Sequence, residues 1–315
     1  MSIRITLAAV FGCALAIGAP KAQADQFINV LTGGTSGVYY PLGVALSDIY
    51  GKGIEGARTQ VQATKASVEN LNLIEQGKGE IAFTLGDALA LAWEGNAEAG
   101  FKAPLSKLRI VAAIYPNYVQ IATLQEAGIT TITDMKGKTL SVGAAKSGTE
   151  LNARVILEAA GLSYDDLGKV EYLPFAESVE LMKNRQLEAT LQSSGLGNAA
   201  IKDLASSQAI SIVSIPADMV VAMGSPYMPA TIPAGTYQGQ DADVPTVAVG
   251  NYLVTSADVS EEVVYQMTKL IFENLDVLKA AHSVGAGISL DEAAKSPPIP
   301  LHPGAERFYR EQGKL

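Results

Sequence analysis

The chain is predicted to be an α/β protein of two lobes, each a parallel sheet flanked by helices. Three observations carry this reading. Short apolar runs alternate with segments of helical period. The turns between them repeatedly pair glycine with a hydroxyl or an amide. A long extended run, 108–124, separates two such series. Successive strand–helix units imply parallel strands joined by right-handed crossovers.

Composition narrows the class. Of 315 residues, 48% are hydrophobic and only 17% charged, enough for a large core and unlike a disordered chain. Residues 1–24 read as a signal peptide: Arg4 is a positive start, 5–17 an apolar run too short to span a bilayer, and Ala22-Gln23-Ala24 a small-x-small cleavage site. The expected mature chain starts at Asp25 and is periplasmic. Bulky Phe11, two residues before the single Cys13, argues against a lipid anchor. Loss of Cys13 leaves no disulfide, thiolate metal site or cysteine nucleophile. Removing Arg4 and Lys21 leaves 21 basic against 32 acidic residues, which speaks against nucleic acid and anionic membranes as partners.

The first lobe opens with strand Phe27-Ile28-Asn29-Val30-Leu31, stopped by Gly33-Gly34. Thr35-Ser36-Gly37 then leads a helix with Leu42, Ala45, Leu46 and Ile49 on one face and Pro41 in its first turn. Strand, glycine turn and helix start aim unpaired backbone N–H groups at an anion. Thr59–Thr64 alternates as a strand, and Ser67 is placed as cap of a helix carrying Val68, Leu71 and Ile74. The third unit is strand 80–85, with Asp87 as cap of the Ala-Leu-rich helix that bears Trp93. The expected boundaries are 25–115 for the first part of lobe 1 and 116–225 for lobe 2. Residues 226–315 then return to lobe 1 and finish with helices.

In the second lobe the strand around Leu140 precedes Ser147-Gly148-Thr149-Glu150, a capping-box pattern leading a helix to Ala160. Further strands are expected at 188–192 and 209–215, with helices around 178–182 and 199–204. Residues 226–237, rich in Pro, Gly and Thr, read as a connection. A strand over 247–254, one long amphipathic helix over 259–278 and a short helix after His302 complete the chain.

Enzyme chemistry finds little support. His282 and His302 stand beside no nucleophile, no G-x-S-x-G elbow precedes a helix, no H-E-x-x-H occurs, and the first loop lacks both the Lys-Ser/Thr of a P-loop and the G-x-G-x-x-G of a dinucleotide fold. No cofactor and no metal are expected. What remains are helix starts bearing hydroxyls, where open α/β sheets bind ligands. As simple caps such residues contribute about 1 kcal/mol each. Asp87 and Ser178 are assigned that role, whereas Thr35, Ser36, Ser147 and Thr149 are assigned to a polar-anion site.

Taken together, 33–43, Ala66-Ser67-Val68-Glu69-Asn70, 134–138, 147–154, Ser194-Gly195-Leu196-Gly197-Asn198, 231–237 and His302-Pro303-Gly304-Ala305 resemble the TAXI family. These are solute receptors of tripartite ATP-independent periplasmic (TRAP) transporters. The similarity runs over essentially the whole mature chain. It implies a type II periplasmic-binding-protein fold, two α/β lobes on a hinge with the ligand cleft between them. It also implies a small carboxylate or amino-acid ligand (glutamate, glutamine or 2-oxoglutarate-like) and TRAP membrane subunits as partners of a monomer. Carried over by motif, Gly34, Thr35, Ser36, Tyr39, Ser67 and Asn70 face the ligand from lobe 1. Ser147, Thr149 and Ser194 face it from lobe 2, and Arg154 is the candidate for holding the acid group. The residue that neutralises the ligand's charge stays open, as does the alternative of a sensing partner for a membrane kinase or a periplasmic enzyme on the same fold.

Overall fold

The computed structural model describes residues 26–315; the expected signal peptide and Cys13 lie outside the described residues. The first series runs β1 (Gln26–Leu31), α1 (Tyr39–Gly53), β2 (Ala57–Gln62), α2 (Ser67–Glu75), β3 (Ile81–Leu85) and α3 (Gly86–Glu94). Both β2 and β3 pair in parallel with β1, as the strand–helix alternation requires. β3 is buried along its whole length, which is why it reads as an unbroken apolar run.

β4 (Leu108–Leu124) then spans 17 residues without interruption. After it come β5 (Thr139–Ser141), α4 (Gly148–Ala159), β6 (Lys169–Glu171), α5 (Phe175–Lys183), β7 (Ala189–Ser194) and α6 (Ala199–Ser207). β8 (Ile210–Val213), α7 (Ala217–Met223), β9 (Met228–Ile232) and β10 (Val244–Ser256) follow, and α8 (Glu261–Glu273), α9 (Leu275–Ala281) and α10 (Pro303–Glu311) close the chain. The strand order is β2-β1-β3-β10-β4-β7-β5-β6, with β8 added to β4 and β9 to β10.

The sheet is therefore mixed, and its two middle strands serve both lobes. The first half of β4 pairs with β10, while Tyr118 to Thr123 pair with β7. β10 likewise pairs with β9 through Val244 to Ala248 and with β3 through Asn251 to Val254. At the crossing, Pro116 faces Gly250 and the register slips before Tyr252. Proline brings no N–H to the ladder, so it fits at such an irregularity. Two buried apolar clusters fill the first lobe and two the second.

Several expectations are corrected. The 226–237 segment is not only a connection, since it contains β9, and α7 precedes it. Ile232 and Tyr237 pack with Ile201 and Leu204, and Val247 with Val119 and Leu140, so the chain stays with lobe 2 past 225. Its return falls inside β10, where Asn251 begins to pair with β3. The 259–278 helix splits into α8 and α9 at Asn274, which leaves helical geometry at φ −126°. Ser67 is not a cap. Ala66 occupies that position, and the Ser67 hydroxyl instead accepts the N–H of Leu85 at 3.1 Å. Asp87 lies inside α3 rather than capping it. Both histidines hold chain ends: His302 Nδ1 accepts the N–H of Gly304 at the start of α10, and His282 Nδ1 that of Val284.

α10 seats on α8 through Gly304. A methyl group there would lie 2.2 Å from the Glu261 carbonyl oxygen and 2.6 Å from the Tyr265 nitrogen. Backbone cannot yield as a side chain does. Gly304→Ala should therefore cost about 1–3 kcal/mol, seen as a lower urea midpoint at unchanged slope.

Candidate functional site

A cavity of about 100 Å³ lies between the lobes, at the carboxyl ends of β1, β5 and β7 and beside the crossing strands. Its first wall is mainly backbone: Gly33, Gly34 and Gly37 line it, followed by Val38 and Tyr39. A methyl group on Gly34 would meet nothing within 4 Å, so the wall is open at that point. The Tyr39 ring is held by stacking on Phe83, centroids 4.9 Å apart. Thr64, Lys65 and Ala66 supply the second loop, Asn117 the crossing strand, and Ala144, Ser147, Thr149, Pro174, Phe175, Ser193 and Ser194 the second lobe.

Five of the residues expected from sequence meet here: Gly34, Tyr39, Ser147, Thr149 and Ser194. Ser147 caps α4 by accepting the N–H of Glu150 at 3.1 Å, which leaves its hydroxyl proton free to donate. The other half of the expected capping box is absent, because the Glu150 carboxylate turns to Arg154 and Tyr164.

The remaining expected residues do not reach the cavity. Thr35 is exposed, and neither it nor Ser36 lines the cavity; this loop offers its glycines instead. Asn70 is buried and spent on scaffolding. Its Nδ2 donates to the Thr32 and Phe83 carbonyls at 2.7 and 2.8 Å, and its Oδ1 accepts the Thr64 hydroxyl. Ser67 does not line the cavity; its hydroxyl accepts the N–H of Leu85 at 3.1 Å. Arg154 is taken up by Glu150 at 2.7 and 3.0 Å and by the Glu98 carbonyl at 3.3 Å, so it lies away from the cavity.

Sequence reasoning passed over Lys65, Asn117 and Phe175. Lys65 adjoins Ala66-Ser67-Val68-Glu69-Asn70, yet nothing in its spacing marks it. Among the described residues that line the cavity it alone carries a charge. Two other rim features had no sequence signal. Ala66 and Lys146 hold positive φ of 71° and 66°, a conformation that costs a non-glycine residue about 1–3 kcal/mol. They flank a bond between lobes, from Glu69 N to the Lys146 carbonyl at 3.2 Å.

The lobes touch elsewhere too. Leu151 of α4 packs into a first-lobe apolar cluster. Asp87 of α3, buried, accepts Asn152 Nδ2 of α4 at 2.5 Å and the Tyr227 hydroxyl at 2.9 Å. Burial pushes the Asp87 carboxyl upward, opposed by those bonds and by backbone N–H groups. Burial also pushes the Tyr39 phenol far above its ordinary value, so it keeps its proton.

A family model described as the NMT1-like family matches residues 30–313. The chain belongs to the NMT1-like family. Solved structures place its fold among periplasmic solute-binding proteins. It is similar to PhnD1 from Prochlorococcus marinus in complex with methylphosphonate, at 11% identity and TM-score 0.60 over 92% of this chain and all of that one. A putative L-cystine ABC transporter from Listeria monocytogenes matches at 14% identity and TM-score 0.53, covering 84% of this chain and 98% of the other. A binding-protein component of an ABC phosphonate transporter from Pseudomonas aeruginosa gives 12%, 0.53, 84% and 80%. At these identities the likeness establishes the fold of this NMT1-like chain.

Contact between the lobes depends on Gly148. A methyl group on it would stand 2.6 Å from Ser67 Oγ and 2.7 Å from Leu85 Cδ1, both across the interface. Gly148→Val should hold the lobes apart. Small-angle scattering would show a larger radius of gyration than the parent's; identical profiles would contradict this.

Proposed function

We propose that the chain is an extracytoplasmic receptor that captures a small carboxylate between its lobes and delivers it to a membrane transporter. The observation that supports this reading is the make-up of the cavity. Hydroxyls and an amide line it, Lys65 is its charged member, and no carboxylate does so among the described residues. Ser147 and the first N–H groups of α4 add donors and the positive end of a 12-residue helix. Apolar Val38, Pro174 and Phe175 leave room for an aliphatic stem. Lys65 takes the charge-neutralising role that the sequence left open, with Arg154 as a candidate for holding the acid group.

Glutamate, glutamine and 2-oxoglutarate-like acids match this chemistry and are the solutes implied by the TAXI resemblance. On the same ground the membrane partner is an ion-gradient-driven TRAP transporter, with the receptor a periplasmic monomer. A second reading, an ABC transporter, draws on the descriptions of the similar solved structures. Reconstitution with each transporter type separates the two.

The reading is tested by thermal shift on ligand-stripped protein with a panel of small acids, since a ligand that binds only the native state raises Tm. Lys65→Gln should weaken the best acid at least about tenfold, the loss of one charge-assisted hydrogen bond, and Lys65→Arg should largely retain it. Ser147→Ala should show a similar loss. Thr35→Ala should bind within about twofold of the parent, because its side chain points to solvent. Absence of any shift with carboxylates, or full affinity in Lys65→Gln, would overturn the proposal.

A further inference from the structure

Two hydroxyls of the cavity wall have already given their protons away. The Tyr39 hydroxyl donates to Asn251 Oδ1 at 2.5 Å. Asn251 Nδ2 donates to the Tyr115 carbonyl at 3.1 Å and to Asn117 Oδ1 at 3.4 Å. Asn117 Nδ2 donates to Ser193 Oγ at 2.6 Å, and Ser193 donates to Asn152 Oδ1, also at 2.6 Å. Asn152 Nδ2 ends the relay on Asp87, where the Tyr227 hydroxyl converges. Asp87 and the three asparagines are each less than 5% exposed, so water does not offer substitutes.

The direction of this relay follows from its anchors. A backbone carbonyl can only accept, so Asn251 must show its NH2 to Tyr115 and its Oδ1 to Tyr39. At the far end the Asp87 carboxylate, which meets two side-chain donors, requires the NH2 of Asn152. Asn152 Oδ1 then claims the single proton of Ser193. Towards the cavity, Tyr39 and Ser193 keep only lone pairs.

We propose that Asp87, acting through Asn152, is a positioning residue that holds Ser193 as an acceptor. Together with Tyr39 it makes one wall of the cavity select a ligand N–H or ammonium group. The opposite polarity comes from Lys65 and Ser147, which donate. A ligand whose amine stands near its acid group satisfies both walls, whereas a keto oxygen would face lone pairs. This inference rests on the carboxylate-receptor reading above. A buried site built to receive a donor rejects the analogue lacking it far more strongly than a methylene difference would.

The test compares glutamate with 2-oxoglutarate by calorimetry on the full mature protein. The parent should bind glutamate at least about tenfold tighter. Asp87→Ala releases Asn152 to turn its amide, so the preference should fall to within about threefold. In the swap Asp87→Asn with Asn152→Asp, the carboxylate at 152 still accepts from Ser193, and the preference should return. Equal or reversed preference in the parent, or an unchanged ratio in folded Asp87→Ala, overturns the proposal. If neither acid binds, the receptor reading for these acids fails, and the relay is decided without ligand. Asp87→Ala and Asn117→Ala touch different residues, so a relay predicts a combined loss of denaturation midpoint smaller than the sum, while additive losses sink it. Should Asp87→Ala not fold, Asn152→Ala takes its place in both measurements.

Discussion

Everything in this molecule hangs on two strands that belong to both halves at once. β4 and β10 pair with each other through the first lobe and then part, one to β7 and β8, the other to β9. A strand that is hydrogen-bonded on both sides cannot slide by one residue without turning its apolar side chains outward. The pairing therefore fixes how the two halves face each other. It also brings Asn117 and Asn251 to the point of crossing, where both are almost wholly buried. Polar side chains in such a place need partners, and the relay from Tyr39 to Asp87 supplies them.

The cavity inherits its chemistry from this arrangement. Its floor is polar because the crossing strands and the end of β7 carry amides and hydroxyls. Its sides come from loops at helix starts, where backbone N–H groups have no partner within the helix. Acidic residues close to it are already engaged: buried Glu150 is paired with Arg154 and accepts from Tyr164, and Asp87 accepts hydrogen bonds from Asn152 and Tyr227. An overall acidic chain thus encloses a pocket whose charged lining residue is a lysine. Net charge and local field are separate quantities, and binding answers to the second.

Closeness between the lobes depends on small residues. Gly148 lies against Ser67 and Leu85, and a methyl group on Gly195 would come within 2.7 Å of Val284 and 3.4 Å of Val38. Two strained residues, Ala66 and Lys146, sit on either side of the same seam. Strain gathered where the lobes meet indicates that the surrounding contacts, not local preference, hold these loops in place.

The alternation of apolar runs and helical segments was sufficient to read the α/β class, most strands of both lobes, the long crossing strand and the helix starts at Tyr39 and Gly148. Those features are local: side-chain period and glycine placement decide them within one segment. Ser147 and Thr149 were legible for the same reason, since they stand at a strand-to-helix turn, whereas Gly34, Tyr39 and Ser194 were implied by the TAXI resemblance. Other assignments needed the tertiary structure. Motif position alone could not say that Thr35 faces solvent, that Asn70 braces two carbonyls, or that Arg154 answers Glu150, because each depends on what lies across from it. Asp87 looked like an ordinary cap and is instead the buried end of an inter-lobe network. β9 was hidden in a Pro- and Thr-rich stretch, since pairing with β10 rather than its own propensity makes it a strand. Period and punctuation set the elements, but which polar groups share a proton is decided only when distant segments meet without water.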